Sequence, residues 1–155
     1  MIQRKQTLFL LLAVIVYVVC LFLPIAQLMP QGMGEKGLVY NLGLVQGGSM
    51  GVVPTCIPLF LLLAVSTLLS LVTIFLYKNR KTQINLCSVS MLFTLLWYVD
   101  YALFFFGIIP LGEVDGNMVV KFGACLPFVA LILVAMARKG VLDDEKLVRA
   151  ADRIR

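Results

Sequence analysis

One ionisable side chain sits inside an otherwise apolar run: Asp100, within Met91–Gly107. An acid at that position in a stretch long enough to cross a bilayer is a candidate functional group by default. The only tryptophan, Trp97, and two tyrosines, Tyr98 and Tyr101, surround it. Two chemistries fit. The carboxylate could accept hydrogen bonds from a tyrosine hydroxyl or a loop N–H, or pair with Lys36 or Lys121. It could instead handle a proton or a cation, which requires a second polar partner at the same depth, and no other apolar run offers an acid or base there. We expect Trp97, Tyr98, Asp100 and Tyr101 to form a polar anchor near a membrane interface, where aromatic residues gather.

Other chemistry finds few residues. The chain has no histidine, which removes the commonest general base and the commonest metal ligand. No glycine-rich phosphate loop, HExxH, GxSxG or catalytic carboxylate pair is present. No catalytic residue, metal site or cofactor is therefore expected. The four cysteines, Cys20, Cys56, Cys87 and Cys125, have no CxxC spacing and fall one to each apolar run. They read as small buried residues, although Cys20 and Cys125 share a depth. Ser66, Ser70 and Thr73 repeat at helical spacing on one side, a small-residue face that lets another helix approach closely.

The elements that hold these residues follow from composition. Of 155 residues, 61% are hydrophobic and 14% charged, against roughly 45–50% apolar and about 25% charged in soluble domains. Much of this surface needs lipid as its solvent. Four runs reach the length of about 20 residues that a helical span requires: Thr7–Leu28, Val53–Tyr77, Ile84–Ile109 and Val119–Ala137. The first is too long for a signal-peptide core. The predicted architecture is an all-α four-helix transmembrane bundle, one domain over residues 1–155. Pro58 and Pro127 are expected inside spans, Pro58 as a bend. Met29–Val52 is glycine-rich and reads as an outer loop cap, with a short strand possible at Leu38–Leu42 and a small strand pair possible in the cap.

Charge gives the orientation. Arg4, Lys5, Lys78, Arg80, Lys81, Arg138, Lys139, Lys146, Arg149, Arg153 and Arg155 lie on one side, and Lys36 and Lys121 on the other. Basic residues collect on the cytoplasmic side, so both termini are expected inside. The net charge of +5 is explained by the bilayer, and no nucleic-acid motif accompanies it. All six prolines, and every glycine except Gly140, fall in the outer half.

Gly140 suits a helix end, and Asp143–Arg155 then reads as a separate amphipathic tail helix. Asp143 would cap it, with Asp144 and Glu145 in its first turn, Leu142 and Leu147 as a staple, and Glu145–Arg149 as a pair at i,i+4. Lys146, Arg149, Arg153 and Arg155 could contact anionic lipid or a cytoplasmic partner.

The two ends of the chain carry a resemblance. Met1-Ile2-Gln3-Arg4-Lys5-Gln6-Thr7 and the closing Asp144-Glu145-Lys146-Leu147-Val148-Arg149-Ala150-Ala151-Asp152-Arg153-Ile154-Arg155 resemble a family of small bacterial membrane proteins, domain of unknown function 4293, found mainly in the Bacteroidota. The resemblance implies a bacterial inner-membrane location and supplies no reaction, ligand or catalytic residue. The expected role is a non-enzymatic accessory or scaffold subunit acting through helix–helix and tail contacts, with a membrane-protein partner or a second copy. The alternative is a small oligomeric transporter or channel using Asp100.

Overall fold

The structure is a computed structural model, and it describes residues 3–30, 36–76, 79–108 and 116–152. Four helices carry the chain: α1 (Gln3–Phe22), α2 (Ile57–Phe75), α3 (Arg80–Phe105) and α4 (Leu126–Asp152). Each contributes a segment long and apolar enough to cross a membrane: Lys5–Phe22, Pro54–Phe75 (counting the turn before α2), Arg80–Phe105 and Phe122–Val148 (counting the turn before α4). The helices form a ring in which α1 packs on α2 and α4, and α3 packs on the same two.

Five short strands close one end: β1 (Ala26–Pro30), β2 (Gly37–Val39), β3 (Gly43–Gln46), β4 (Ser49–Val52) and β5 (Gly116–Val120). They make one antiparallel sheet in the order β4-β3-β2-β1-β5. Gly47 and Gly48 turn β3 into β4 with φ of 60° and 81°, the left-handed pair that a tight hairpin of this hand needs. Ala26, Leu28, Val39 and Leu44 face the bundle and join a single core with Leu10, Tyr17, Leu63, Trp97 and Val134. None of the strands contains a charged residue.

This sheet is the main departure from an all-α reading, and proline and β-branched residues explain it. Pro24 has no N–H and restricts the residue before it. The first apolar run therefore stops being helical at Phe22, and Ala26–Pro30 becomes β1. Val119-Val120, expected to open the fourth span, end β5 instead, as suits β-branched residues on a pleated surface. A short apolar run has no periodicity that separates strand from helix. Leu38–Leu42 is strand only at Leu38 and Val39, with Asn41 in the following turn.

Helix ends also differ. Pro58 and Pro127 are second residues of α2 and α4, where a missing N–H has no helical partner to lose. Neither lies deep enough to bend its helix. Arg80 and Lys81 form the first turn of α3, four residues earlier than Ile84. Gly140 ends nothing: α4 runs through it to Asp152, so Asp143–Arg155 is no separate capped helix. The expected turn residue Lys78, the outer-loop residues Pro110, Glu113 and Asp115, and the tail residues Arg153 and Arg155 lie outside the described residues, and of Arg149 only the backbone is described.

Candidate functional site

The junction between the sheet and the helices is held by polar side chains that reach across elements. Trp97 is fully buried. Its indole N–H donates to Asn41 Oδ1 at 3.0 Å, its ring stacks on Tyr101 at 5.3 Å between centroids, and Tyr98 meets it edge-on at 5.0 Å. Asn41 sits in the β2–β3 turn, also fully buried, and its amide donates to the Cys20 carbonyl near the end of α1 at 2.9 Å. One amide thus satisfies a donor on α3 and an acceptor on α1, which fixes the sheet to both helices. A buried group of this kind is expensive to leave unpaired.

The two tyrosines continue the pattern. Tyr98 OH donates to the Ala124 carbonyl at 2.8 Å, and Tyr101 OH to the Ile25 carbonyl at 3.2 Å. Ile25 O also accepts from the Lys121 N–H at 3.0 Å, so α3, the start of β1 and the approach to α4 meet at one residue. Of the four residues expected as an anchor, Trp97 and Tyr101 tie α3 to the sheet end, and Tyr98 ties it to the turn before α4.

Asp100 does not share in it. Both tyrosine hydroxyls are committed to backbone carbonyls and not to its carboxylate. Neither Lys36 nor Lys121 lies within ion-pair distance of it. Its Oδ2 is buried and has no hydrogen-bond partner, the one such side-chain atom among the described residues.

Below the junction a band of hydroxyls crosses the bundle. Tyr17 OH of α1 lies 2.6 Å from Thr94 Oγ1 of α3. Ser90 of the same helix lies 3.0 Å from Ser70 Oγ of α2 and donates to the Ser66 carbonyl at 3.2 Å. Ser66, Ser70 and Thr73 also donate to the carbonyls four residues back in α2. These three therefore line the buried α2–α3 contact, and Gln83 Nε2 donates to Thr73 O at 3.4 Å. Small hydroxyls that bond their own helix carry no unsatisfied donor into an apolar interior.

At the end away from the sheet, Gln6 Nε2 donates to Asp144 Oδ2 at 2.5 Å. Both are buried. Arg80 Nη1 reaches the Asp144 carbonyl at 3.5 Å, and Arg138 Nε donates to Ser88 Oγ at 2.9 Å. Asp144 is thus a tie between α4 and α1 and not a first-turn residue of a tail helix. Lys146 is exposed and meets Asp143 at 3.5 Å. Leu147, expected as half of a staple, is 62% exposed beside Val148 at 44%.

Asn41, Tyr17, Thr94, Ser90 and Gln6 were not among the expected site residues. A signal existed for two of them: Ser90 and Thr94 continue with Trp97 and Tyr101 at helical spacing along one face of α3. Asn41, in a loop, and Gln6, near the chain start, gave no comparable pattern. The cysteines are all unbridged. Cys20 is buried with its thiol donating to the Gly123 carbonyl at 3.4 Å, whereas Cys125 is exposed.

The chain is thus a four-helix protein with an antiparallel sheet on one end and a buried aromatic–amide hub beneath it. It belongs to the family described as Domain of unknown function (DUF4293), whose model matches residues 2–154. No curated protein matches the chain.

Proposed function

We propose that the protein is a multi-pass protein of the bacterial inner membrane. Its helices span the bilayer, the sheet stands on the outer side, and both termini are cytoplasmic. Four helices of sufficient length and hydropathy support the span reading. The basic residues Lys5, Arg80 and Lys81 stand at helix ends away from the sheet, and Arg138, Lys139 and Lys146 lie from the middle of α4 onward, leading away from the sheet, which supports the orientation. Cysteines placed singly at Ser49 and Asn79, both exposed, in a background with the native cysteines replaced by serine, test it. Ser49 labels from outside intact cells. Labelling of Asn79 from outside reverses the orientation.

Within the membrane we assign the protein a non-enzymatic accessory or scaffold role, with a membrane-protein partner or a second copy. The observation that carries it is the continuation of α4. Gln6 meets Asp144 near the start of α1, and α4 continues for two turns beyond Asp144 to Asp152, leaving Leu147 and Val148 exposed with Lys146 alongside. A single helix turn offers its apolar residues to a groove or a partner helix. Leu147→Glu with Val148→Glu should remove a partner from a crosslinking pull-down while the protein still accumulates in the membrane. An unchanged set of partners leaves the α4 end as a lipid contact only, made through the basic residues around it.

A second reading, a small oligomeric transporter or channel using Asp100, is favoured by one observation: the buried Asp100 Oδ2 without a partner.

A further inference from the structure

We propose that Arg138 and Ser88 form a site for the phosphate of an anionic phospholipid, at the seam between α3 and α4 in the leaflet away from the sheet. This rests on the membrane reading above and is independent of the accessory role.

Arg138 lies within Phe122–Val148, a segment long and apolar enough to cross a membrane. Twelve residues separate it from Leu126, where α4 begins at the sheet end, which is about 18 Å of helix. The hydrocarbon layer is about 30 Å thick. The residue therefore stands past the midplane and short of the far boundary. An arginine at such a depth extends to the boundary or finds a counter-charge. Arg138 is instead held in the seam, its Nε donating to Ser88 Oγ at 2.9 Å. Ser88 is eight residues into α3 from Arg80, and Arg138 is six residues before Asp144, whose carbonyl Arg80 reaches. Both partners thus lie about 9–12 Å inward of the Arg80–Asp144 contact. No carboxylate among the described residues is within ion-pair distance of Arg138. Asp143 meets Lys146, and Asp144 accepts from Gln6.

Ser88 decides which donors are left. Its own proton goes to the Ile84 carbonyl at 2.9 Å, so it accepts from Arg138 and is fixed from both sides. The guanidinium also carries N–H donors on both Nη nitrogens. These have no partner among the described residues, and they are not enclosed, since the one enclosed and unpartnered side-chain atom among those residues is Asp100 Oδ2. They open to the outside from a half-buried side chain. Two Nη groups in one plane match two oxygens of a phosphate.

The face of α3 beside this fork indicates the source of the phosphate. Lys81, Ser88, Leu92 and Leu95 follow one another at helical spacing on one side. Lys81, Leu92 and Leu95 are exposed. Charge stands nearest the water, the hydroxyl and guanidinium next, and apolar side chains beyond them. A phospholipid presents the same order from headgroup to phosphate to acyl chain. A soluble anion would lose its hydration at this depth and make no use of the leucines. Lys81, with exposed Lys139 on α4, favours a headgroup that adds no positive charge.

The test follows lipid retained by the full chain in mild detergent, read by native mass spectrometry during titration with phosphatidylglycerol or with phosphatidylcholine of the same acyl chains. The wild type should hold phosphatidylglycerol severalfold more tightly than phosphatidylcholine. Arg138→Gln should weaken phosphatidylglycerol binding about tenfold, the scale of a lost charge-assisted bond. Lys5→Gln removes the same charge from an exposed site on α1 and should change it by less than about twofold. Arg138→Lys, which keeps the charge without the planar fork, should fall between. Where Arg138→Gln fails to accumulate, Ser88→Ala carries the test: the charge stays, its orientation is lost, and binding should weaken severalfold. Glycerol phosphate at millimolar concentration should not displace the lipid. Binding unchanged in Arg138→Gln, an equal loss in Lys5→Gln, equal retention of the two lipids, or displacement by glycerol phosphate overturns the proposal. So does an Arg138→Gln protein that keeps its lipid and loses a crosslink to another chain, which would assign the seam to a protein carboxylate. Cysteine labelling at Ser49 and Asn79 is measured alongside. Lost lipid selectivity with labelling as expected removes the site and keeps the membrane reading.

Discussion

The two ends of the bundle solve the same problem with different materials. At the sheet end, strands without a single charge are joined to the helices by an amide, an indole and a phenol, while a second phenol ties α3 to the turn before α4. At the other end the ties are Gln6 to Asp144, Arg80 to the Asp144 carbonyl and Arg138 to Ser88. The sheet end is built on close backbone approach and rigid rings. The other end uses long side chains that can shift and that stand beside water. Rigid, fully buried contacts should therefore be far less tolerant of change than the charged ones. The difference teaches why proline and glycine collect at one end: they are what closing a helical bundle with a sheet requires, and straight helix ends need neither.

The sharpest test is Trp97→Ala. It empties the largest fully buried side chain and leaves the Asn41 carbonyl oxygen without its donor. A buried Trp→Ala change costs about 3–5 kcal/mol. We expect a loss in that range when unfolding in mixed detergent and SDS is followed by far-UV circular dichroism. A loss below about 1 kcal/mol would mean that the hub does not hold the sheet. Next comes Gly123→Ala. A methyl there runs into the Pro24 carbonyl oxygen and carbon, backbone atoms that cannot turn aside. Overpacking against backbone costs about 1–3 kcal/mol, and the expected signature is a destabilised protein whose Trp97 emission shifts to the red as the junction opens.

At the opposite end Gln6→Leu removes the donor to a buried carboxylate. Leaving such a group unpaired costs about 1–3 kcal/mol. We expect a value in the lower half of that range, because Arg80 reaches the Asp144 carbonyl and Lys146 lies within a turn of it. If Gln6→Leu destabilises as much as Trp97→Ala in the same unfolding assay, the two ends are equally rigid and the contrast fails.

How far the sequence discloses this contrast depends on the kind of signal. Helix number follows from run length, because a bilayer-length apolar stretch has one dominant reading. The separation of charge from proline and glycine is visible in the same way. The sheet is not, because its strands are short, apolar and without turn chemistry beyond Gly47-Gly48 and a scatter of glycines. β5 in particular pairs with β1 across most of the chain, from Val120 to Ala26, and no local pattern encodes so distant a partner. Trp97, Tyr98 and Tyr101 are legible as a group because rare residues cluster at helical spacing. Asn41 is not, since an amide in a loop is unremarkable until its partners on α1 and α3 are known. Asp144 misleads for a related reason: acid residues after a glycine look like a fresh helix start, yet the glycine is there to let another side chain pass.

That last point makes Gly140 the finest probe of the comparison. It sits within α4, whereas Gly123 sits in the 3-10 turn before that helix, and a methyl added to it would meet the Gln6 side chain, with Cγ at 3.0 Å and Nε2 at 3.4 Å. Two effects oppose each other. Alanine in place of a helical glycine stabilises by about 1 kcal/mol. Displacing Gln6 loosens its bond to Asp144, worth a similar amount. Because Gln6 has rotatable bonds to give way with, we expect Gly140→Ala to change stability by less than about 1 kcal/mol. In the Gln6→Ala background the obstruction is gone, and the same substitution should become stabilising. A double-mutant cycle reads the difference directly. Coupling near zero would place Gly140 outside the Gln6–Asp144 tie. A cost as large as that of Gly123→Ala would show that the charged end is held as tightly as the sheet end.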